Sequence, residues 1–368
     1  MPILKMGEIS ILVLRGNSTE MGYEHGYLFR DIIQEAIELY VSKSEEIYEL
    51  PASILLSEAQ RCLPFIPREY LKEMAAIAEG SGVHFNQLLA LNCLSDVDGC
   101  IGQNILHCCN FVLSSPATRD GLFLHGRNLD FPTAQGWLQK ASIIISRVPA
   151  SLDAIPTLTV GFAGFVGMFT GYNQSSISCA EVGVPDPRPS IEGMPLPMMM
   201  RYALERSESI DDFFTVVQRT PRTCGYNLAL GDGKRGKCAC IELTRDLCEI
   251  RYPRKGVLVV DDVCFCKTTG HMRLTYPAGT FRYSRMMQLI SENYGTITIG
   301  KALEFLADDY DMARAKRSGK SYNCICNHHT IQSVLFLPAE NKLYVAMGTI
   351  PAPTGAYVEI ATHNLWEC

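Results

Sequence analysis

The sequence predicts an α+β fold, two antiparallel sheets flanked by helices and preceded by a mostly helical N-terminal segment. Three observations carry this. Apolar residues recur at helical spacing through much of the first hundred positions. From Phe111 onward the texture changes to short apolar runs separated by turns. The later order is strands, helices, strands, helices, strands with short joints, which suits antiparallel pairing better than a doubly wound parallel sheet.

In chain order, Ile9 to Leu14 reads as a strand ending at the turn Gly16-Asn17-Ser18. Thr19 can cap a helix starting near Glu20 and continuing through Ile37. Further helices are expected from about Ser57 to Cys62, from Pro67 to Glu79 with Gly80 as C-cap, and from Phe85 to Leu94. Strand-like runs then follow at Phe111–Leu113, Leu122–His125, Ala141–Arg147, Thr157–Val160, Met168–Tyr172 and Ile177–Ala180. Others are Leu228–Leu230, Cys238–Leu243, Cys248–Tyr252, Gly256–Val260, Ile331–Leu337 and Leu343–Met347. Helices are expected at Met194–Arg206, Ser209–Gln218, Phe281–Asn293 and Thr298–Leu306. The one boundary the pattern marks lies near residue 107, dividing a helical segment, 1–107, from a core, 108–368, within one globular unit.

Hydrophobic residues make up 47% and charged residues 20%, enough for a sizeable core. The net charge of -6 and the lack of a basic run argue against a nucleic-acid partner. No apolar stretch reaches the ~18 residues that would cross a bilayer, and no secretory leader is visible, which predicts a cytoplasmic protein. The 15 cysteines are odd in number and read as reduced thiols rather than a disulfide framework. No cofactor motif is found. Cys238-x-Cys240, Cys264-x-Cys266 and Cys324-x-Cys326 with His328 and His329 suggest zinc, but structural zinc sites use Cys-x2–4-Cys spacing. These are read as core cysteines. Met198, Met199 and Met200 are consecutive, form no helical stripe and are read as packing.

The chemistry gathers in His107 to Asp130. Adjacent Cys108 and Cys109 head an apolar run, Arg119-Asp120-Gly121 makes a turn, and Arg127, Asn128 and Asp130 close a second run. Two runs joined through a Gly turn read as a β-hairpin. Its free ends would bring a thiol, a guanidinium and a carboxylate together.

That hairpin resembles the catalytic hairpin of the N-terminal-nucleophile hydrolases. It is most similar to the acyl-coenzyme A:6-aminopenicillanic acid acyltransferase family, related to the choloylglycine hydrolases. Three further segments resemble that family in the same order: Gly16 to Gly26, Glu73 to Asn92 and His329 to Pro351. The resemblance implies an αββα sandwich made as a precursor that cuts itself just before a cysteine. It also implies cleavage or transfer of an N-acyl group through a thioester on that cysteine. A thiol near pKa 8.5 is mostly protonated at pH 7, and an α-amine titrating near ~7.7–8.0 can take its proton. One residue then supplies nucleophile and base.

Aligning Phe111 on the family pattern places the nucleophile at Cys108, with Cys109 next in line; Cys100 is too far from Arg127. The resemblance gives Arg127 the thiolate, Asp130 the α-ammonium, Asn173 the oxyanion, and Arg285 a place among the catalytic residues as the family's arginine at the start of a late helix. The bland readings are a surface ion pair worth about 0–1 kcal/mol for Arg127 and Asp130, a tight-turn residue for Asn128 or Asn173, and a solvated arginine for Arg285. Asn227 ranks below Asn173. Where relatives carry a further asparagine this chain has Gly270, leaving Thr269 or His271 to fill that place. The expected partner is a small N-acyl substrate. Hydrolase and acyltransferase share the first half-reaction. A non-catalytic binding protein on the same fold is the alternative of another class, on account of His107, Cys109 and Gly270. Oligomeric state is not legible.

Overall fold

The computed structural model describes residues 3–101, 107–131, 137–271 and 277–366. The chain opens with β1, Ile3–Met6, and β2, Ile9–Gly16. Helices then run over Ser18–Leu28, Arg30–Ile37, Ala52–Arg61, Arg68–Ser81 and Phe85–Ile101. The first is capped by Asn17 rather than Thr19, in a reciprocal capping box with Glu20. It stops at Phe29, where the backbone leaves helical geometry, instead of continuing to Ile37.

Gly82, at φ +74, and not Gly80, closes Arg68–Ser81. Gly80 is needed for a different reason. A Cβ there would lie 2.5 Å from the carbonyl oxygen of Tyr23, and one at Gly26 would lie 2.2 Å from that of Ile77. The two helices therefore cross backbone against backbone, and only residues without side chains fit at the crossing.

Past residue 107 come β3, His107–Leu113; β4, Leu124–Asp130; β5, Ser142–Pro149; β6, Thr157–Phe162; β7, Thr170–Asn173; and β8, Ile177–Gly183. Helices Leu196–Leu204 and Ile210–Arg219 follow, then β9, Tyr226–Asp232; β10, Lys237–Leu243; β11, Cys248–Arg251; and β12, Val257–Val260. After helices Pro277–Glu292 and Ile299–Leu306 come a short hairpin, β13, Tyr310–Asp311, and β14, Lys316–Arg317. The chain closes with β15, Thr330–Leu337; β16, Lys342–Met347; and β17, Val358–Ala361.

Fifteen of these strands form two sheets, one of nine in the order β1-β2-β5-β6-β7-β8-β9-β10-β11 and one of six in the order β12-β3-β4-β15-β16-β17. Pairing is antiparallel except between β2 and β5, which run parallel. Helices Pro277–Glu292 and Ile299–Leu306 cover the outer face of the six-stranded sheet, where Met286, Ile290 and Phe305 meet Phe111, Leu113 and Leu335. The helices of the first hundred residues and those at 196–219 cover the other sheet, and their core reaches into β3 through Cys108 and Val112. The result is the four-layer αββα sandwich. One hydrophobic core therefore contains residues from both sides of position 107. No helix among the described residues is long and apolar enough to cross a membrane.

Candidate active site

Alternation along β3 sends Cys108 and Cys109 to opposite faces of the six-stranded sheet. Cys108 joins the core between the sheets, and Cys109 packs under the outer helices. Antiparallel pairing sets Cys108 against Leu129, Asn110 against Arg127 and His107 against Asp130. The hairpin thus gathers its polar ends as expected, with its turn held by positive φ at Asp120 and Gly121.

Around the Cys108 sulfur three groups converge. Arg127 Nη2 donates to Sγ at 3.4 Å. The thiol donates to Glu181 Oε1 at 3.5 Å, and the same oxygen accepts from Arg127 Nη2 at 2.7 Å. The backbone N–H of Asp130 points at the sulfur as well. Cys108, Arg127 and Glu181 are all at most 1% exposed, so the bland reading of Arg127 as a surface ion pair does not apply. Burial, with Glu181 beside it, pushes the Cys108 thiol well above its usual range, and Arg127 opposes this.

Asp130 accepts from Asn327 Nδ2 at 2.7 Å and from Thr330 Oγ1 at 2.6 Å, which fixes its carboxylate at the end of β4. Asn128 is a clamp within the strand, not a turn residue. Its amide donates to the carbonyls of Leu306 and Ile325, and its oxygen accepts from Ser333.

Two expected members are not brought to the thiol. Asn173 spends both amide hydrogens on the carbonyls of Leu204 and Ser207, each at 2.8 Å, and its oxygen accepts from Ile177 N. No donor is left for an oxyanion. Asn227 is committed likewise, to the carbonyls of Asp261 and Val263. Arg285 forms a fork with Asp308 at 2.9 and 2.8 Å and lies over the Tyr310 ring, away from β3.

The arginine that reaches β3 is Arg282, fully buried one turn earlier. Its Nη2 donates to the Cys108 carbonyl oxygen at 3.4 Å, to Asp261 at 2.6 Å and to Asp262 at 2.7 Å. Burial pushes Asp261 upward, Arg282 pulls it back, and Asp262 alongside adds to the rise. Thr269 donates to Glu242 at 2.6 Å and is occupied there; the side chain of His271 lies outside the described residues.

Beside the site, Phe131 follows Asp130 into a narrow slot that it shares with Phe162, Phe165, Phe169, Leu91 and Leu94. The slot holds about 20 Å³ of open space and has almost no polar lining. Its walls come from both the N-terminal helices and the sheet. Among the described residues no group of three or more His, Cys, Asp or Glu is placed to hold a metal ion.

Residues 118–350 match the family described as acyl-coenzyme A:6-aminopenicillanic acid acyl-transferase, which is more than half of the chain. The chain belongs to this family. Curated relatives of this acyl-transferase family member include protein dcd1B of Dictyostelium discoideum, 24% identical over 267 residues, which cover 66% of this chain and 52% of that one. A protein of Archaeoglobus fulgidus is 24% identical over 344 residues, covering 80% and 57%. The chain spans about half the length of these relatives. Among solved structures, the N-acylethanolamine-hydrolyzing acid amidase ortholog of Caenorhabditis elegans is 17% identical over 63% of this chain and 93% of its own, with a TM-score of 0.46. The penicillin V acylase of Agrobacterium tumefaciens is 11% identical over 65% and 82%, with a TM-score of 0.41.

Sequence reasoning missed Glu181, Arg282 with its aspartates, and the Asn327–Thr330 clamp. Glu181 had a readable signal: it is the one charged residue in the apolar run of β8.

Proposed function

We propose that this family member cuts its own chain before Cys108 and then acts as a cysteine amidohydrolase on linear N-acyl amides. One observation carries the reading: the buried Cys108 thiol lies between Arg127 and Glu181 on a strand whose partner brings Asp130 alongside. Cleavage divides the chain into residues 1–107 and 108–368.

The freed α-amine of Cys108 takes the thiol proton near neutral pH. The thiolate attacks the amide carbonyl, the acyl group is held as a thioester, and the amine leaves with that proton. Water then resolves the thioester and restores the thiol. Arg127 favours the thiolate, Asp130 holds the α-ammonium, and Arg282 fixes the Cys108 carbonyl so that the new N-terminus cannot swing away. The family match supports a second reading, in which an amine replaces water in the last step.

Intact-mass measurement of freshly purified protein tests the first claim. Two fragments joining at 107/108 are expected, with Cys108→Ala remaining one chain; an unbroken wild type would sink the proposal. A panel of N-acyl compounds with acyl chains of increasing length, run with and without a competing amine, then reads acyl preference and partitions water against amine.

A further inference from the structure

Cleavage of the uncut chain meets a proton problem that the finished enzyme does not have. In the mature form an α-amine sits on Cys108, but before the cut that nitrogen is an amide and accepts no proton near neutral pH. Burial also holds the thiol in its protonated form. Some other group must take the proton for the first cut.

Among the described residues three groups touch the sulfur, and two of them only donate: the Arg127 guanidinium and the backbone N–H of Asp130. The third, Glu181 Oε1 at 3.5 Å, can accept. Nearby carboxylates are occupied elsewhere. Asp130 takes hydrogen bonds from Asn327 and Thr330. Asp96 takes them from Leu196 N, Thr223 and Ser95.

Glu181 is held in place by its main chain, whose carbonyl accepts from Arg127 Nη1 at 2.7 Å and from Asn110 Nδ2 at 3.3 Å. Its second carboxylate oxygen, Oε2, is buried and meets no donor among the described residues. A carboxylate kept only for stability would be expected to satisfy both oxygens, since a buried unpaired one costs about 1–3 kcal/mol or more.

We propose that Glu181 is the general base for the chain's own cleavage, a step that rests on the self-cutting reading above. Glu181 takes the proton from the Cys108 thiol. The thiolate attacks the carbonyl carbon of His107, forming a C–S bond. Collapse of the tetrahedral intermediate breaks the 107–108 C–N bond, and the proton passes from Glu181 to the departing nitrogen. A thioester now joins residue 107 to Cys108, whose α-amine is free. Water adds to the thioester, the thiol leaves, and residue 107 ends as a carboxylic acid. One water is consumed and nothing is oxidised. Arg127, shared by both partners, stabilises the charge as it moves from carboxylate to sulfur.

The test is a time course of intact mass after a pulse of cell-free synthesis, comparing wild type, Glu181→Gln, Glu181→Asp and Cys108→Ala. Glu181→Gln keeps an acceptor for Arg127 and should cut about 100-fold or more slowly, the usual size of a general-base contribution. Glu181→Asp keeps the carboxylate and should cut at least about tenfold faster than the Gln variant. Hydroxylamine, which opens thioesters, should not rescue Glu181→Gln, because the missing step precedes the thioester. Melting of Glu181→Gln at the temperature of the equally uncut Cys108→Ala separates base loss from misfolding. A second reading uses wild type alone: a base-assisted cut keeps a level rate between pH 7 and 9, whereas an unassisted thiol speeds up about tenfold per unit. Wild-type cutting with Glu181→Gln equally fast, rescue by hydroxylamine, or a tenfold-per-unit wild-type rise overturns the assignment to Glu181 and leaves self-cleavage standing. A wild type that stays whole overturns both.

Discussion

Arg282 Nη2 lies 3.4 Å from the carbonyl oxygen of Cys108, while Arg285, one turn on, faces Asp308. The two arginines therefore carry different loads. Arg282 neutralises two buried aspartates, and removing one partner from a buried ion cluster costs about 3–5 kcal/mol. Arg285 forms a largely buried fork with one aspartate, Asp308, at 13% and 6% exposure. Urea denaturation should show Arg282→Met, which strands two fully buried aspartates, destabilised more than Arg285→Ala, with turnover of the latter close to wild type. Equal losses would mean that the late-helix position has been assigned to the wrong arginine.

Cys109 tests the facing of β3. It packs against Phe111 and Leu113 under the outer helices and approaches Asp261 rather than Glu181. Cys109→Ser keeps a donor for Asp261, so cleavage at 107/108 and turnover should both persist. An uncut Cys109→Ser protein, folded by circular dichroism, would move the nucleophile to the second cysteine.

The hairpin was legible because its information is local. Two apolar runs, a turn with a Gly, and the period of two along a strand were enough to set a thiol beside an arginine and an aspartate. What could not be read depends on rotation or on distance along the chain. Arg282 and Arg285 differ by three positions in one helix, and only packing against β12 and β3 decides which turns inward. Glu181 lies 73 positions from Cys108, and Asn327 lies 197 from Asp130. A lone charge in an apolar strand marks Glu181 as unusual, but local pattern names neither its partner nor that of Asp130. At the first helix, Asn17, Ser18 and Thr19 are all good caps. The reciprocal bond from Glu20 selects Asn17, and that choice is a matter of backbone geometry.

Asn173 makes the opposite kind of prediction from a catalytic amide. It ties the turn between β7 and β8 to the end of helix Leu196–Leu204 with two hydrogen bonds and closes the turn itself with a third, from Ile177 N. Asn173→Ala would strand buried backbone groups at about 1–3 kcal/mol each. The denaturation midpoint should therefore fall while kcat of the folded fraction is retained. A variant of wild-type stability with kcat lowered about 100-fold would restore the oxyanion role.

Histidine burial gives the fold an acid weakness. His125 is enclosed between the sheets, its Nδ1 2.8 Å from Ser178 Oγ and its ring 5.4 Å from that of Phe336. Burial, with Arg127 nearby, lowers its pKa to about 3. Because the folded value is depressed, the unfolded chain binds the extra proton between about pH 6.5 and pH 3. Stability from this residue is therefore complete above pH 6.5 and is lost as pH falls through that window. Between pH 7 and pH 5 the loss amounts to about 2 kcal/mol. His25, buried and lowered to about 3, acts in the same direction, whereas Asp96, raised to about 6, opposes both by binding a proton in the folded state. A difference measurement isolates His125: the gap in unfolding free energy between wild type and His125→Gln should shrink by about 2 kcal/mol on going from pH 7 to pH 5. A gap independent of pH would mean that the imidazole is protonated inside the fold, with an acceptor for its Nε2.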